Sequence, residues 1–189
     1  MSNSIRQYYE KETEELSSCL FDALYELMQT CTIDQLSVSQ IIQHAHVSRA
    51  SFYRRYKDKY DLLNHTYEQI LKKTLFNVKT GSTWKQSIYL IYKVIYDNAV
   101  FFKNALTSED PNSLSNYIYE QGMHLESEIL EMNGIDTTEP AVHYRLASYV
   151  AGGLELTIIW LKDDVRLPLN ELVEILFEMV PDMFKEYFI

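Results

Sequence analysis

Apolar residues recur every three or four positions along almost the whole chain, the spacing of one face of an α-helix. Leu16, Leu20, Ala23, Leu24, Leu27 and Met28 form the first such stripe and predict a helix over about 12–30. Ser37, Val38, Ser39 and Gln40 read as a capping box, in which the Ser37 hydroxyl accepts from the Gln40 N–H and Gln40 reaches back. Val38, Ile41, Ile42 and Ala45 line the inner side of the short helix that follows. Beyond His46 and Val47, Ser48 is placed to cap a third helix with Phe52 and Tyr56 on its buried side. A fourth runs from about Asp58 through Leu62, Leu63, Tyr67, Ile70 and Leu71. Residues 79–83 break the pattern, which resumes at Trp84 and continues to about Ala105. Pro111 is placed for a first helical turn, and Asn133-Gly134 closes that element. Pro140 opens a long helix reaching about Lys162. Pro168 opens a last one, with Leu172, Ile175, Leu176, Met179 and Met183 as its stripe and Pro181 as kink or terminator. No stretch alternates long enough to argue a strand, so the expected class is all-α.

Composition narrows the function. Only 5 Gly and 4 Pro in 189 residues are too few for a turn-rich β protein or a nucleotide-binding fold with glycine loops. Hydrophobic residues at 47% supply a packed core. With 17 basic against 27 acidic residues the net charge is −10, which argues against coating nucleic acid non-specifically. Cys19 and Cys31 form no ligand or disulfide pattern and read as small core or boundary residues. The polar start of the chain and the absence of a long unbroken apolar run give the expectation of a cytoplasmic protein with no membrane contact. Neither a nucleophile triad with a supporting motif nor a phosphate-cradling loop is visible, so no enzyme, no cofactor and no metal are expected. His124, Glu128 and His143 could meet a metal only if folding gathered them.

Two short helices joined by a tight turn within residues 37–56 have the spacing of a helix-turn-helix. Ala45 is small where the helices approach, Val47 plugs their angle, and Ser48 caps the second. The side chains beyond that cap suit a major groove: Arg for guanine, Ser as a small donor and acceptor, Ala against a thymine methyl. Between Gln43 and Tyr60 stand Arg49, Arg54, Arg55, Lys57 and Lys59 against the single acid Asp58, a local +4 on an otherwise acidic chain.

The run from Ser37 to Ile41 and then Ala45-His46-Val47-Ser48-Arg49-Ala50-Ser51-Phe52-Tyr53-Arg54-Arg55-Tyr56, continuing to Leu62-Leu63, resembles the DNA-binding head of the TetR family of bacterial transcriptional regulators. Residues 12–63 carry the resemblance; the rest is similar in length and helicity. His46 stands where the family has a turn Gly, Ser51 and Ser37 where Thr is frequent, and Tyr56 where Phe is frequent. The resemblance implies an N-terminal three-helix head over 1–60 and a C-terminal effector-binding and dimerisation bundle over 61–189. It implies that Arg49, Ala50 and Ser51 face base edges and that Tyr53 packs on the sugar-phosphate backbone. Ser37, Ser39 and Lys59 would touch phosphates, Ser48 presents the helix start, and Arg54 and Arg55 are the ambiguous pair.

The body is rich in aromatic residues at helical spacing. Most read as core, yet so many Tyr hydroxyls also suit an amphipathic cavity between helices. Tyr92, Tyr96, Phe102, Tyr117, Met123 and Tyr149 are the candidates for its lining. Gly152 and Gly153 in a helix interior cost about 1 kcal/mol each against Ala, which makes sense where another helix approaches closely, in a partner copy or within the protomer. Leu146, Val150, Gly153, Leu154, Ile158 and Trp160 of the long helix, with Leu172, Leu176 and Met179 of the last, are the candidate dimer surface. The expected function is a homodimeric regulator of palindromic double-stranded DNA, most simply a repressor released by a small-molecule effector. The alternative is a regulatory adaptor of the same fold answering to a partner protein.

Overall fold

The computed structural model describes residues 15–79 and 83–188. Among these, nine α-helices and two 3-10 turns are present and no strand. The head comprises α1 (Glu15–Leu27), a 3-10 turn (Ile33–Gln35), α2 (Val38–His44) and α3 (Arg49–Tyr53). The body comprises α4 (Lys59–Lys79), α5 (Trp84–Asp97), α6 (Ala99–Ala105), α7 (Leu114–Met132), α8 (Pro140–Lys162), α9 (Leu169–Glu178) and a 3-10 turn (Asp182–Tyr187). The part of the first predicted helix before Glu15, and residues 80–82 of the predicted break, lie outside the described residues.

Local chemistry sets the helix ends. Ser37 and Gln40 form the expected capping box: the Gln40 N–H donates to Ser37 Oγ, and the Ser37 N–H donates to Gln40 Oε1 at 2.9 Å. His46 takes φ +54°, the left-handed turn that redirects the chain between α2 and α3. Asp58 Oδ1 accepts from the N–H groups of Tyr60 and Asp61 and so caps α4. Pro140 sits in the first turn of α8, where its missing N–H is not needed, and Asn133 with Gly134 (φ +81°) closes α7.

Two expectations need correction, at Pro111 and Cys19, and the run from Trp84 gains a boundary. Pro111 lies in the turn before α7, whose cap is Ser113 accepting from the Asn116 N–H. The periodic run from Trp84 to Ala105 is two helices, broken at Asn98 (φ −129°, ψ 35°), whose side chain donates to the Val94 carbonyl. Cys19 is exposed on α1, whereas Cys31 is partly covered and donates to the Leu27 carbonyl.

The head rests on the body through α1 and α4. Phe21 and Tyr25 pack on Phe101 of α6, with the Tyr25 and Phe101 rings 5.3 Å apart and stacked. The Tyr25 hydroxyl donates to Asn98 Oδ1, and Asn104 donates to the carbonyl of Met28, just beyond α1. Behind these, α7 packs along α8, while α5 lies between α4 and α9. Close approach is bought by glycine. A Cβ on Gly122 of α7 would stand 2.9 Å from Val150 Cγ1, and one on Gly152 of α8 would stand 2.9 Å from Met179 Cε of α9. The glycine pair of α8 therefore serves packing within the protomer.

Candidate nucleic-acid interface and body cavity

The head puts the basic segment on one open face. Ser37, Ser39, Ser48, Arg49, Ala50, Tyr53 and Arg54 are exposed, and Ser51, Arg55 and Lys59 are half-buried. Phe52 and Tyr56 sit in the core beneath them, with the Tyr56 hydroxyl bonded to Ser17 Oγ at 2.9 Å. Ser48 caps α3 by accepting from the Ser51 N–H, and the two hydroxyls also meet at 2.8 Å. Arg49 donates to Ser39 Oγ at 2.7 Å, and its guanidinium carbon is 5.8 Å from the centre of the Tyr53 ring. Residues of α2 and α3 thus share one hydrogen-bonded surface in which Arg49 is braced and outward. Lys59 differs from the expectation of a plain phosphate contact. Its ammonium donates to the carbonyls of Asp34 and Leu36, so two of its three protons hold the 3-10 turn to the start of α4. The Asp34 carboxyl is held below its usual range by hydrogen bonds from Ser108 and Tyr60 and by the charge of Lys59.

The body holds a cavity of about 150 Å³ between α4, α5, α7, α8 and α9. Its walls are chiefly apolar: Leu71, Ile88, Ile91, Ile118, Leu125 and Leu154 among others. Of the six aromatic and Met candidates, Tyr92 and Tyr149 line it and the other four do not. Tyr96 is exposed and stacks on Trp160 with ring centres 6.0 Å apart. Phe102 is core, edge-on to Phe101. Tyr117 packs edge-on to Tyr67, and Met123 is half-buried elsewhere on α7. Val150, Gly153, Leu154 and Leu176, expected at a dimer surface, line the cavity instead.

Thr157 donates its one hydroxyl proton to the Gly153 carbonyl at 2.7 Å, so Tyr92 must be the donor in the 2.7 Å bond between their hydroxyls. Burial pushes the Tyr92 hydroxyl up to about 12, and burial with the neighbouring Glu126 pushes Tyr149 up as well.

Sequence reasoning missed Glu126. It lies on α7 in line with Ile118, Gly122 and Leu130 at steps of four, an acid within an apolar stripe, and that step was the available signal. It is 8% exposed, lines the cavity, and its Oε2 has no hydrogen-bond partner within the protein. Burial raises its carboxyl from the ordinary 4.5 to about 8. The Trp84 indole is also on the wall, beside the Tyr149 hydroxyl.

The remaining dimer candidates divide. Leu146, Trp160 and Leu172 are buried inside the protomer, and the Trp160 ring N–H donates to the Leu167 carbonyl. Ile158 is half-buried and Met179 exposed. Helix α8 is apolar on nearly every side, so periodicity alone could not tell its inner face from its outer one. The outer face carries Tyr144 (71% exposed), Ser148, Ala151, Glu155 and Ile159 (52% exposed), beside Ile175 and Met179 of α9. Among the described residues no three His, Cys, Asp or Glu gather as a metal site, and His124 only meets Glu128 one turn on. No described helix is long and apolar enough to cross a membrane.

Comparison with known proteins agrees with this architecture. Residues 20–66 match the family model described as bacterial regulatory proteins of the tetR family. Residues 82–182, more than half of the chain, match the model of a transcriptional regulator C-terminal region of the same family. The chain belongs to the TetR family of transcriptional regulators. A curated relative, the HTH-type dhaKLM operon transcriptional activator DhaS of Lactococcus lactis, is 26% identical over 81 residues. That match spans 43% of each chain, less than half the length of the relative. Among solved structures, the dihydroxyacetone kinase operon activator DhaS superposes with a TM-score of 0.60 at 17% identity, covering 87% of this chain and 93% of the other. The regulator FadR from Bacillus subtilis in complex with stearoyl-CoA gives 0.57 at 18% identity, covering 86% and 96%. At such identities the likeness to these structures is one of fold.

Proposed function

We propose that this TetR-family regulator acts as a homodimer on palindromic double-stranded DNA, as a repressor released when a small molecule occupies the body cavity. The observation that carries the reading is the exposed, braced cluster of Arg49, Ser39, Ser48 and Tyr53 on a basic face, on a chain of net charge −10. Arg49 and Ser51 supply base choice, with Ala50 against a methyl. Ser37, Ser39, Tyr53, Arg54 and Arg55 supply phosphate and sugar contacts, and Lys59 steadies the turn that leads into α2. Dimerisation uses the outer face of α8 with α9, where Tyr144, Ile159, Ile175 and Met179 form an exposed apolar set. A two-fold axis there presents two copies of α3 to two half-sites. Helix α4 begins beside the head at Lys59 and carries Tyr67 and Leu71 into the cavity wall, so occupancy bears directly on the head.

Selection of bound duplexes from a random library at low salt, followed by footprinting, tests the DNA reading: recovery of a two-fold symmetric site supports it, and no enrichment over an Arg49→Ala control refutes it. The DhaS relatives favour a second reading, since their names describe an activator. In that reading the protein recruits transcription machinery or answers to a partner protein. In vitro transcription from the selected site, with and without the protein, separates the two by the sign of the effect.

A further inference from the structure

We propose that the body cavity selects a small, mostly apolar molecule bearing one protonated amine, whose ammonium pairs with Glu126. This rests on the reading of the cavity as the effector site and adds the chemistry of the ligand.

The cavity holds a carboxyl whose Oε2 has no partner in the protein, in a wall that is otherwise apolar apart from amide and hydroxyl groups and the Trp84 indole N–H. A buried acid left so is costly, and the cost is relieved by an opposite charge brought in with hydrogen bonds. No Lys, Arg or His lines the cavity, so an anionic ligand finds no countercharge. A cation finds one, together with the rings of Trp84, Tyr92 and Tyr149, which add the attraction of π-faces for positive charge. A neutral ligand would leave the acid without any advantage over a glutamine. The volume of about 150 Å³ is that of a cavity that holds one benzene ring, so the apolar part is about one ring or a short branched chain. Tyr92 of α5 and Tyr149 of α8 lie within electrostatic reach of Glu126, while Tyr67 of α4 and Leu176 of α9 line the same cavity, and burial holds all three Tyr hydroxyls neutral.

The proton balance follows. Free Glu126 holds its proton through neutral pH. The amine enters already protonated, the carboxyl gives its proton to the buffer, and the ion pair closes. Binding therefore releases close to one proton at pH 7 and tightens as pH rises toward 8.

Calorimetry on the full chain with benzylamine, benzyl alcohol and benzoate, in two buffers of different ionisation enthalpy, tests this. Benzylamine should bind about tenfold or more tighter than benzyl alcohol, release a proton, and leave benzoate weakest. Glu126→Gln should remove the advantage of benzylamine and spare benzyl alcohol. If benzyl alcohol or benzoate binds wild type as well as benzylamine does, or if the amine releases no proton, the inference fails while the cavity stands as a ligand site. If none of the three binds wild type, the effector reading falls with it. Should Glu126→Gln not fold, the wild-type preference and proton release decide the question alone.

Discussion

Replacing Glu126 by glutamine keeps the shape of the side chain and removes only its ability to ionise, so the pH dependence of stability isolates what burial does to this acid. In the unfolded chain Glu126 titrates near 4.5, and in the folded protein near 8. Folding therefore takes up a proton between these values. The contribution of Glu126 is most favourable below pH 4.5, is lost as pH rises, and levels off above about 8. At about 1.4 kcal/mol per pH unit, the full loss is about 5 kcal/mol, and about 3 kcal/mol is already gone at pH 7. Urea unfolding of wild type and Glu126→Gln at equal concentration, from pH 4 to pH 9, gives the difference curve, in which all other titrating groups cancel. Glutamine should gain on wild type steadily across this window, most steeply between pH 5 and 8. Parallel curves would show that Glu126 is solvated or paired in solution, and would remove the electrostatic basis of the cavity.

Four further outcomes are expected. Arg49→Ala should cost about 1–3 kcal/mol at the best DNA site and relax one base position, read by gel shift against a panel of single-base variants. Gly122→Ala gains about 1 kcal/mol of helix propensity but drives a methyl to 2.9 Å from Val150 Cγ1, an overpacking worth about 1–3 kcal/mol; it should destabilise in wild type and stabilise in a Val150→Ala background, a change of sign visible in urea melts. Ile159→Lys on the outer face of α8 should yield monomer in sedimentation at micromolar concentration and weaken binding to a full palindrome far more than to a half-site. His46→Gly should raise stability by up to about 1 kcal/mol, because φ +54° strains a residue with a Cβ, whereas His46→Val should lower it in thermal melts.

What the chain declares in advance is what depends on neighbours in sequence. The Ser37–Gln40 box, the Ser48 cap and the ends of α8 at Pro140 and Lys162 each need only a few consecutive residues, and each is legible. The exposed basic set on α3 could be named for the same reason, since α3 and its cap form one short segment. The body is different. Tyr92 and Tyr96 are one turn apart on α5, yet one enters the cavity and the other lies outside on Trp160. That difference depends on how α5 rolls against α8, which no local spacing encodes. Likewise Leu146 and Ile159 are both apolar and both on α8, and only the placement of α7 and α9 decides that one is core and the other surface. Lys59 was readable as a cation but not as one already bonded to two carbonyls.

Helix α4 joins the two halves as one uninterrupted rod of 21 residues. At 1.5 Å per residue it measures about 30 Å. The arm that matters runs from Tyr67 and Leu71 in the cavity wall back to Lys59 at the head, about 12–18 Å: a swing of about 10° there carries the tip about 2–3 Å, close to the 3.4 Å step between successive base pairs along one strand. On the proposed reading, a molecule no larger than a single ring would have leverage enough to shift the head against its half-site, with no part of the head itself unfolding.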